Sequence, residues 1–174
     1  MAQVAAIVLA AGEASRFGSP KQRILLPRVL ERLSETSVDE IVVVEGAHAL
    51  EIPSNSLLQS PAVRLVSCTD WGRGPGASLK CGLETLGPEV EAAVVVLADG
   101  PVISPHAISR VLDEWRESGG VVAASYDGGR GHPLVLGRAN WTGIPDDGLR
   151  DQPVRLVPCD DLGAPGDVDT PADL

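Results

Sequence analysis

The chain has 174 residues, of which 44% are hydrophobic and 3% aromatic, and it carries a formal net charge of −10. This length predicts one domain, residues 1–174, with a core of Val, Leu, Ile and Ala large enough to fold without disulfides or metal. The acidic balance argues against a nucleic-acid or membrane-surface binder, because both need a basic field. No apolar run approaches the ~20 residues of a membrane span.

The cysteines and the first residues bear on the cellular compartment. Cys68, Cys81 and Cys159 form no CxxC pair, and an odd count fits poorly with a disulfide framework. We therefore expect three reduced structural thiols. The opening MAQVAAIVLAAG lacks a basic n-region and is typical of a strand rather than of a signal peptide. These features predict a cytoplasmic protein.

Short apolar runs predict the strands of the fold. In chain order they are Val4–Ala10, Glu40–Glu45, Ala62–Ser67, Glu91–Ala98 and Gly120–Ser125. Each run is nearly continuous in apolar residues, which indicates a sheet covered on both faces.

Helical patterns lie between several of these strands. They are RVLERLSE, SLKCGLETL and SPHAISRVLDEW, the last with Ser104 as a plausible N-cap. The alternation predicts a three-layer α/β/α sandwich with a mostly parallel sheet. The Gly-, Pro- and Asp-rich remainder from Gly128 is expected to add loops and edge strands to the same domain.

The segment LAAGEASRFGSPK, residues 9–21, follows the first strand. Ligands of such sheets bind at the carboxyl ends of the strands. Gly12, at the start of this loop, can adopt backbone angles that a side chain would forbid. Successive backbone N–H groups in such a loop can surround phosphate oxygens. Arg16 and Lys21 can add charge-assisted bonds to the same phosphates. The alternative is an ordinary glycine turn with two solvated cations.

The segment CTDWGRGPGASLKCGL follows the third strand. Its glycines, Gly72, Gly74 and Gly76, precede a helix predicted to begin near Ala77 or Ser78. A glycine-rich approach to a helix N-terminus can bind an anion or a base edge. Ser78 is also a candidate for the helix cap, and the two roles can coexist.

Two acidic segments supply candidate metal ligands. Asp99, in LADGP, directly follows the fourth strand, where a carboxylate can hold a divalent cation beside bound phosphates. The alternative is a turn residue. Asp167 and Asp169, in GDVDTPADL, share one side if the segment is extended and can complete such a site. Alternatively, Asp169 or Thr170 caps a last short helix.

The segment GGRGHPLVLG contains His132. A lone histidine is more often structural than catalytic. Its place in a glycine-rich loop before an apolar strand makes contact with a substrate plausible, whereas general-base chemistry is not established by the sequence.

Five of these segments, taken in chain order, resemble the motifs of the molybdenum cofactor nucleotidyltransferases of the MobA-like NTP-transferase superfamily, and most closely those of their cytidylyltransferase branch. The segments are LAAGEASRFGSPK, GRGPGASL, LADGP, GHP and DVDTPADL. The resemblance covers nearly the whole chain. It implies a Rossmann-like fold of the nucleotide-diphospho-sugar transferase type. It also implies Mg²⁺-dependent transfer of a nucleoside monophosphate, with CTP favoured as donor, to a molybdopterin-type phosphorylated acceptor, with release of pyrophosphate.

The resemblance assigns residue roles by position. It implies catalytic roles for Arg16, Lys21 and Asp99, with the two cations neutralising the triphosphate and the departing pyrophosphate. Asp99 and Asp169 would bind Mg²⁺, and His132 would face the acceptor. The residues implied in nucleotide binding are Leu9, Ala10, Ala11, Gly12, Arg16, Lys21, Gly76 and Ser78.

The chain departs from the family pattern at two places. KQRILLPRVLERL runs from Lys21 into a helix without the usual glycine, and Gly100 replaces a common glutamine. The missing glycine, together with a chain shorter than most relatives, leaves open a non-catalytic nucleotide-binding accessory protein that serves a molybdoenzyme. A guanylyl- or sugar-phosphate nucleotidyltransferase is a further alternative. The resemblance makes a monomer the expectation, and the acidic net charge argues against nucleic acid or a membrane as partner.

Overall fold

The computed structural model describes residues 2–12, 21–52 and 61–166, with only the backbone of Lys21 and Gln22. A seven-stranded sheet runs through this part of the chain in the order β3-β2-β1-β4-β6-β5-β7. Strand β6 is antiparallel to both of its neighbours, and the other adjacent pairs are parallel. The strands are β1 Gln3–Ala10, β2 Glu40–Glu45, β3 Ala62–Ser67, β4 Val90–Leu97, β5 Val121–Tyr126, β6 Gly129–Gly137 and β7 Arg155–Pro158.

Among the described residues, three α-helices cover the two faces of the sheet. They are α1 Lys21–Ser34, α2 Pro75–Leu83 and α3 Pro105–Ser118. Buried residues of α1 and α3 belong to one core cluster, and those of α2 belong to the cluster on the other face. In the part of the chain that the structure describes, no helix has the length and apolar character needed to cross a membrane.

The central strands are buried on both sides, which explains their nearly continuous apolar sequences. In β1, Val4, Ala6 and Val8 contribute to the cluster of α1 and α3, whereas Ala5 and Ile7 contribute to that of α2. Successive side chains of a strand point to opposite faces, so both sides must be apolar when helices cover both. The predicted α/β/α sandwich with a mostly parallel sheet is confirmed.

The start of α2 differs from the prediction. The helix begins at Pro75 with Gly74 as N-cap, and Ser78 is a buried residue within the helix. Proline suits the first helical position because its missing N–H needs no partner there. Gly74 has φ 136°, a conformation that L side chains rarely adopt. The predicted start near Ala77 or Ser78, with Ser78 as the candidate cap, is therefore wrong.

The cysteines also differ from the prediction. A disulfide joins Cys68, directly after β3, to Cys81 in α2, with 5.8 Å between their Cα atoms. Cys159 is free and buried. The expectation of three reduced thiols is wrong because α2 folds back beside the end of β3 and brings together two residues 13 positions apart. Cysteine usage therefore gives no support to the expected cytoplasmic location.

Candidate functional site

The first two loops of the predicted site leave the sheet side by side. Strands β1 and β4 are parallel neighbours, with Leu9 opposite Leu97. The Ala98 N–H donates to the Leu9 carbonyl at 3.1 Å, and this hydrogen bond holds the end of β1 beside the segment that follows β4. The adjacent residues Leu9, Ala10, Ala11 and Gly12 therefore lie beside Asp99, with Ala10 and Ala11 buried and Gly12 exposed.

The start of β6 reaches the same edge of the sheet. Because β6 runs antiparallel to β4, its first residues lie beyond the carboxyl end of that strand. We call residues 129–132 the GRGH segment. Its His132 is close enough to Asp99 for the carboxylate to act on the imidazole electrostatically. The structure therefore brings together two residues that are 33 positions apart in the sequence.

His132 is a neutral group near pH 7. Burial lowers the pKa of its imidazole, and the charge of Arg130 lowers it further, while the negative charge of Asp99 acts in the opposite direction. Burial has the largest effect of the three because it removes water from the charged form. The imidazole therefore suits hydrogen bonding to a ligand better than neutralising its charge.

Two cavities flank the GRGH segment. The α2 cavity, about 510 Å³, extends from Leu9 to Pro75 and Leu79 of α2. The Gly100 cavity, about 450 Å³, lies beside Gly100, Ile103 and the 164–166 segment. Both volumes are large enough for small-molecule ligands. The residues that line both cavities are Leu97, Arg130, Gly131 and His132.

Residues 145–150, which we call the strap, hold the start of α2. The Asp146 carboxylate accepts from Lys80 Nζ at 2.8 Å and lies 2.9 Å from Arg73 Nη2. These cations hold the pKa of Asp146 below its ordinary value. The Asp146 carbonyl accepts the N–H groups of Gly76 at 2.8 Å and Ala77 at 3.3 Å. Gly76, which the resemblance implies in nucleotide binding, thus donates its backbone N–H to a carbonyl of the protein.

Gly76 is required for the close approach of the strap. A Cβ at this position would lie 1.8 Å from the Pro145 carbonyl oxygen and 2.8 Å from the Gly148 nitrogen. A Cβ at Gly74 would likewise lie 2.3 Å from the Asp146 carbonyl oxygen. Two of the three glycines before or within α2 therefore accommodate protein backbone. The strap in turn supplies Gly148, Leu149 and Arg150 to the lining of the α2 cavity.

We expect Gly76→Ala to destabilise the fold by about 1–3 kcal/mol, because its methyl group collides with a backbone carbonyl. Gly72→Ala is the matched control, since nothing lies within 4 Å of a Cβ there. Urea unfolding of both variants measures the difference. Equal stability of the two variants would show that the strap does not pack against Gly76.

His132 also predicts a pH dependence of stability. The unfolded chain protonates this residue at its ordinary pKa of 6.5, and the folded chain protonates it only at lower pH. Acidification below 6.5 therefore favours the unfolded chain, whereas above 6.5 the histidine leaves stability unchanged. We expect the wild type to lose more stability than His132→Gln between about pH 7.5 and about pH 5 in urea titrations. Parallel pH profiles would contradict the lowered pKa.

The carboxylates predicted to bind a metal are only partly within the described residues. Asp99 is half-buried and precedes Gly100, which lines the Gly100 cavity, whereas Asp167 and Asp169 lie outside residues 2–12, 21–52 and 61–166. Within these ranges no group of three or more His, Cys, Asp or Glu is placed to hold a metal ion. Mg²⁺ commonly takes one or two carboxylates together with phosphate oxygens. Asp99 fits a site that substrate phosphates complete.

The predicted cations of the first loop cannot be placed in the site. Arg16 and the side chain of Lys21 lie outside the described part of the chain. Conversely, sequence reasoning missed Arg130 and Asp146. Arg130 precedes His132 by two residues in an extended segment, a spacing that puts both side chains on one face and could have revealed it. No local signal marks Asp146, whose partners lie 66 and 73 positions away.

The chain is similar to curated proteins of two kinds. The chain is 28% identical over 145 residues to a probable molybdenum cofactor guanylyltransferase of Bacillus mycoides (strain KBAB4), covering 80% of this chain and 70% of that protein. It is 29% identical over 130 residues to the bifunctional protein GlmU of Bifidobacterium animalis subsp. lactis (strain AD011). That match covers 68% of this chain but only 28% of GlmU.

Solved structures share the fold over nearly the whole chain. Rv0371c from Mycobacterium tuberculosis H37Rv superposes with a TM-score of 0.78 at 26% identity, covering 98% of this chain and 95% of that one. A structure of Rv0371c in complex with manganese superposes with a TM-score of 0.67 at 22% identity, covering 99% and 92%.

A family model matches most of the chain. The model described as the MobA-like NTP transferase domain matches residues 6–157, which include the site loops after β1 and β4, the GRGH segment and the strap. This match confirms the superfamily to which the sequence motifs pointed. The chain belongs to the MobA-like NTP transferase domain family.

Proposed function

We propose that the protein transfers a nucleoside monophosphate from a nucleoside triphosphate to a phosphorylated acceptor and releases pyrophosphate. The observation that carries this proposal is the pair of cavities that meet at the GRGH segment, beside Asp99. A two-substrate transfer needs adjoining sites whose reacting groups meet at the shared boundary. We assign the nucleotide to the α2 cavity, which Leu9 lines, and the acceptor to the Gly100 cavity.

The chemistry suits the residue types at this boundary. An oxygen of the acceptor phosphate bonds to the α-phosphorus of the nucleotide, and the bond from that phosphorus to the pyrophosphate oxygen breaks. Such transfers depend on positioning and on stabilisation of charge rather than on a covalent protein intermediate. Arg16 and Lys21 would neutralise the triphosphate, and the loop from Leu9 to Gly12 would approach the nucleotide. Ser78 and His132 remain proposed contacts to the nucleotide and the acceptor.

A divalent cation would be held by Asp99, with Asp169 as the second proposed carboxylate. When bound, such a cation polarises the attacked phosphate and orients the leaving group. The manganese complex of Rv0371c supports a divalent cation for this fold, and we propose Mg²⁺ for this chain.

The base and the acceptor are proposed from the order of the motifs. That order favours CTP as donor and a molybdopterin-type phosphate as acceptor. The guanylyltransferase name of the Bacillus mycoides relative favours GTP as the second candidate donor. Both candidates use the same reaction and differ only in the base.

The experiment is a thermal-unfolding panel with CTP, GTP, ATP and UTP, each with and without Mg²⁺. A ligand at about 100 times its Kd adds about 2.7 kcal/mol to stability. We expect a Mg²⁺-dependent shift with CTP. A shift with GTP alone would keep the reaction and change the donor. No shift with any nucleotide, together with no pyrophosphate release in the presence of a molybdopterin-type acceptor, would contradict the proposal.

A further inference from the structure

We propose that Arg130 binds the phosphate of the acceptor and holds it at the boundary between the Gly100 cavity and the α2 cavity. This inference rests on the nucleotidyl transfer proposed above and adds a substrate-binding residue that the sequence motifs did not single out.

Arg130 lies at the boundary between the two cavities. Its side chain lines both cavities. Among the described residues that line the Gly100 cavity, Arg130 is the one Arg or Lys side chain. An acceptor phosphate that enters this cavity therefore finds its positive partner at the boundary with the nucleotide.

Among the described residues, the hydrogen-bond partners of the Arg130 guanidinium are backbone carbonyls. Arg130 is half-buried, and its Nη1 donates to the carbonyls of Arg150 at 3.4 Å and Gln152 at 3.2 Å. Within the described ranges it pairs with no carboxylate, whereas Arg73 and Arg110 each pair with an aspartate. Burial also lowers the pKa of Arg130, so its charged form lacks compensation that a bound anion would supply.

Tyr126 fixes the segment that presents Arg130. The Tyr126 hydroxyl donates to the His132 carbonyl at 2.8 Å. The Tyr126 ring lies against Gly131 so closely that a Cβ there would be 2.9 Å from two ring carbons. Gly131 and His132, the two residues that follow Arg130, are thus anchored to Tyr126 of β5. Arg130 is presented from a supported segment, and support of this kind lets a side chain position a ligand.

The chemistry of the reaction calls for such a cation. Attack of one phosphate on another brings two anions together, and their repulsion is greatest at the boundary of the two sites. A guanidinium binds phosphate through a planar fork of N–H donors, and it keeps its charge at every working pH. The Nε and Nη2 atoms of Arg130 make no hydrogen bond within the described residues, so both can donate to a phosphate.

The test is a titration with inorganic phosphate, followed by ³¹P NMR, on the full chain with and without saturating CTP and Mg²⁺. The proteins compared are the wild type, Arg130→Gln, Arg130→Lys and Arg138→Gln. Arg138 is the matched control because it also donates to two carbonyls, those of Gly87 and Val90, and lines neither cavity. We expect Arg130→Gln to weaken phosphate binding at least about 10-fold. Arg130→Lys should restore part of the affinity because it keeps the charge without the fork.

The outcomes separate this inference from the proposed function. Equal phosphate affinity in the wild type and Arg130→Gln would overturn the inference, as would the absence of phosphate binding by the wild type. An equal loss in Arg138→Gln would overturn it too, since the effect would then be structural. The Mg²⁺-dependent CTP shift is recorded on the same samples and tests nucleotide binding independently. Its persistence in Arg130→Gln, with weakened phosphate binding, supports both.

Discussion

Asp99→Asn is expected to lower Mg²⁺-dependent pyrophosphate release by about 10²–10³-fold, the size of effect seen when one charge-stabilising group is lost from an active site. The substitution keeps the shape of the side chain and removes its negative charge. Asp99 lies two residues after the end of β4, beside the exit of β1 and within electrostatic reach of His132. In the proposed metal site Asp99 supplies a hard oxygen ligand to the cation, and the substitution removes the charge of that ligand.

The measurement is the rate of pyrophosphate release across a series of Mg²⁺ concentrations, with CTP and a molybdopterin-type acceptor. Asp113→Asn is the control because Asp113 is exposed on α3 and pairs with Arg116, away from the cavities. Urea unfolding of both variants verifies that the fold is retained. Turnover of Asp99→Asn near the wild-type rate, with an unchanged dependence on Mg²⁺, would remove Asp99 from the metal site.

Most of the fold follows from local sequence patterns. The predicted limits of β2 and β3 match the structure, and those of β1, β4 and β5 agree to within one residue at each end. Strands covered on both faces need apolar side chains on both sides, so their sequence signal is strong. α3 is equally clear because Ser104 and Pro105 mark its start, and the Ser104 hydroxyl accepts the Ala107 N–H at 3.3 Å. Each of these features depends on residues of a single strand or helix and the residues next to it.

The candidate site is less predictable because its parts come from distant positions. Gly74 and Gly76 form part of the pattern expected of a ligand loop, yet both leave room for backbone of the strap some 70 residues later. The same strap supplies Asp146 to Arg73 and Lys80. Sequence spacing gives no information about such a contact. By contrast, Asp99 and His132 could be singled out from the sequence because each stands in a short motif at the end or start of a strand.

Reduction of the Cys68–Cys81 disulfide is expected to lower the free energy of unfolding by about 3 kcal/mol. The bridge closes a loop between residues 13 positions apart, and the unfolded chain gains the freedom of that loop when the bridge is opened. The loop contains the 3-10 turn Trp71–Arg73 and the start of α2, which borders the α2 cavity. Urea unfolding with and without a phosphine reductant measures the change.

A thiol assay of the denatured, unreduced protein provides the direct check on this bridge. One reactive thiol, that of Cys159, is expected before reduction and three after it. The Cys68→Ser/Cys81→Ser double variant should match the stability of the reduced protein and should not respond to the reductant. Cys159→Ala should keep the full response, because Cys159 takes no part in the bridge. Three thiols before reduction, or equal stability of the oxidised and reduced wild type, would contradict a stabilising bridge. The predicted loss arises from the unfolded chain, so the reduced protein should lose stability even if its folded state is unchanged.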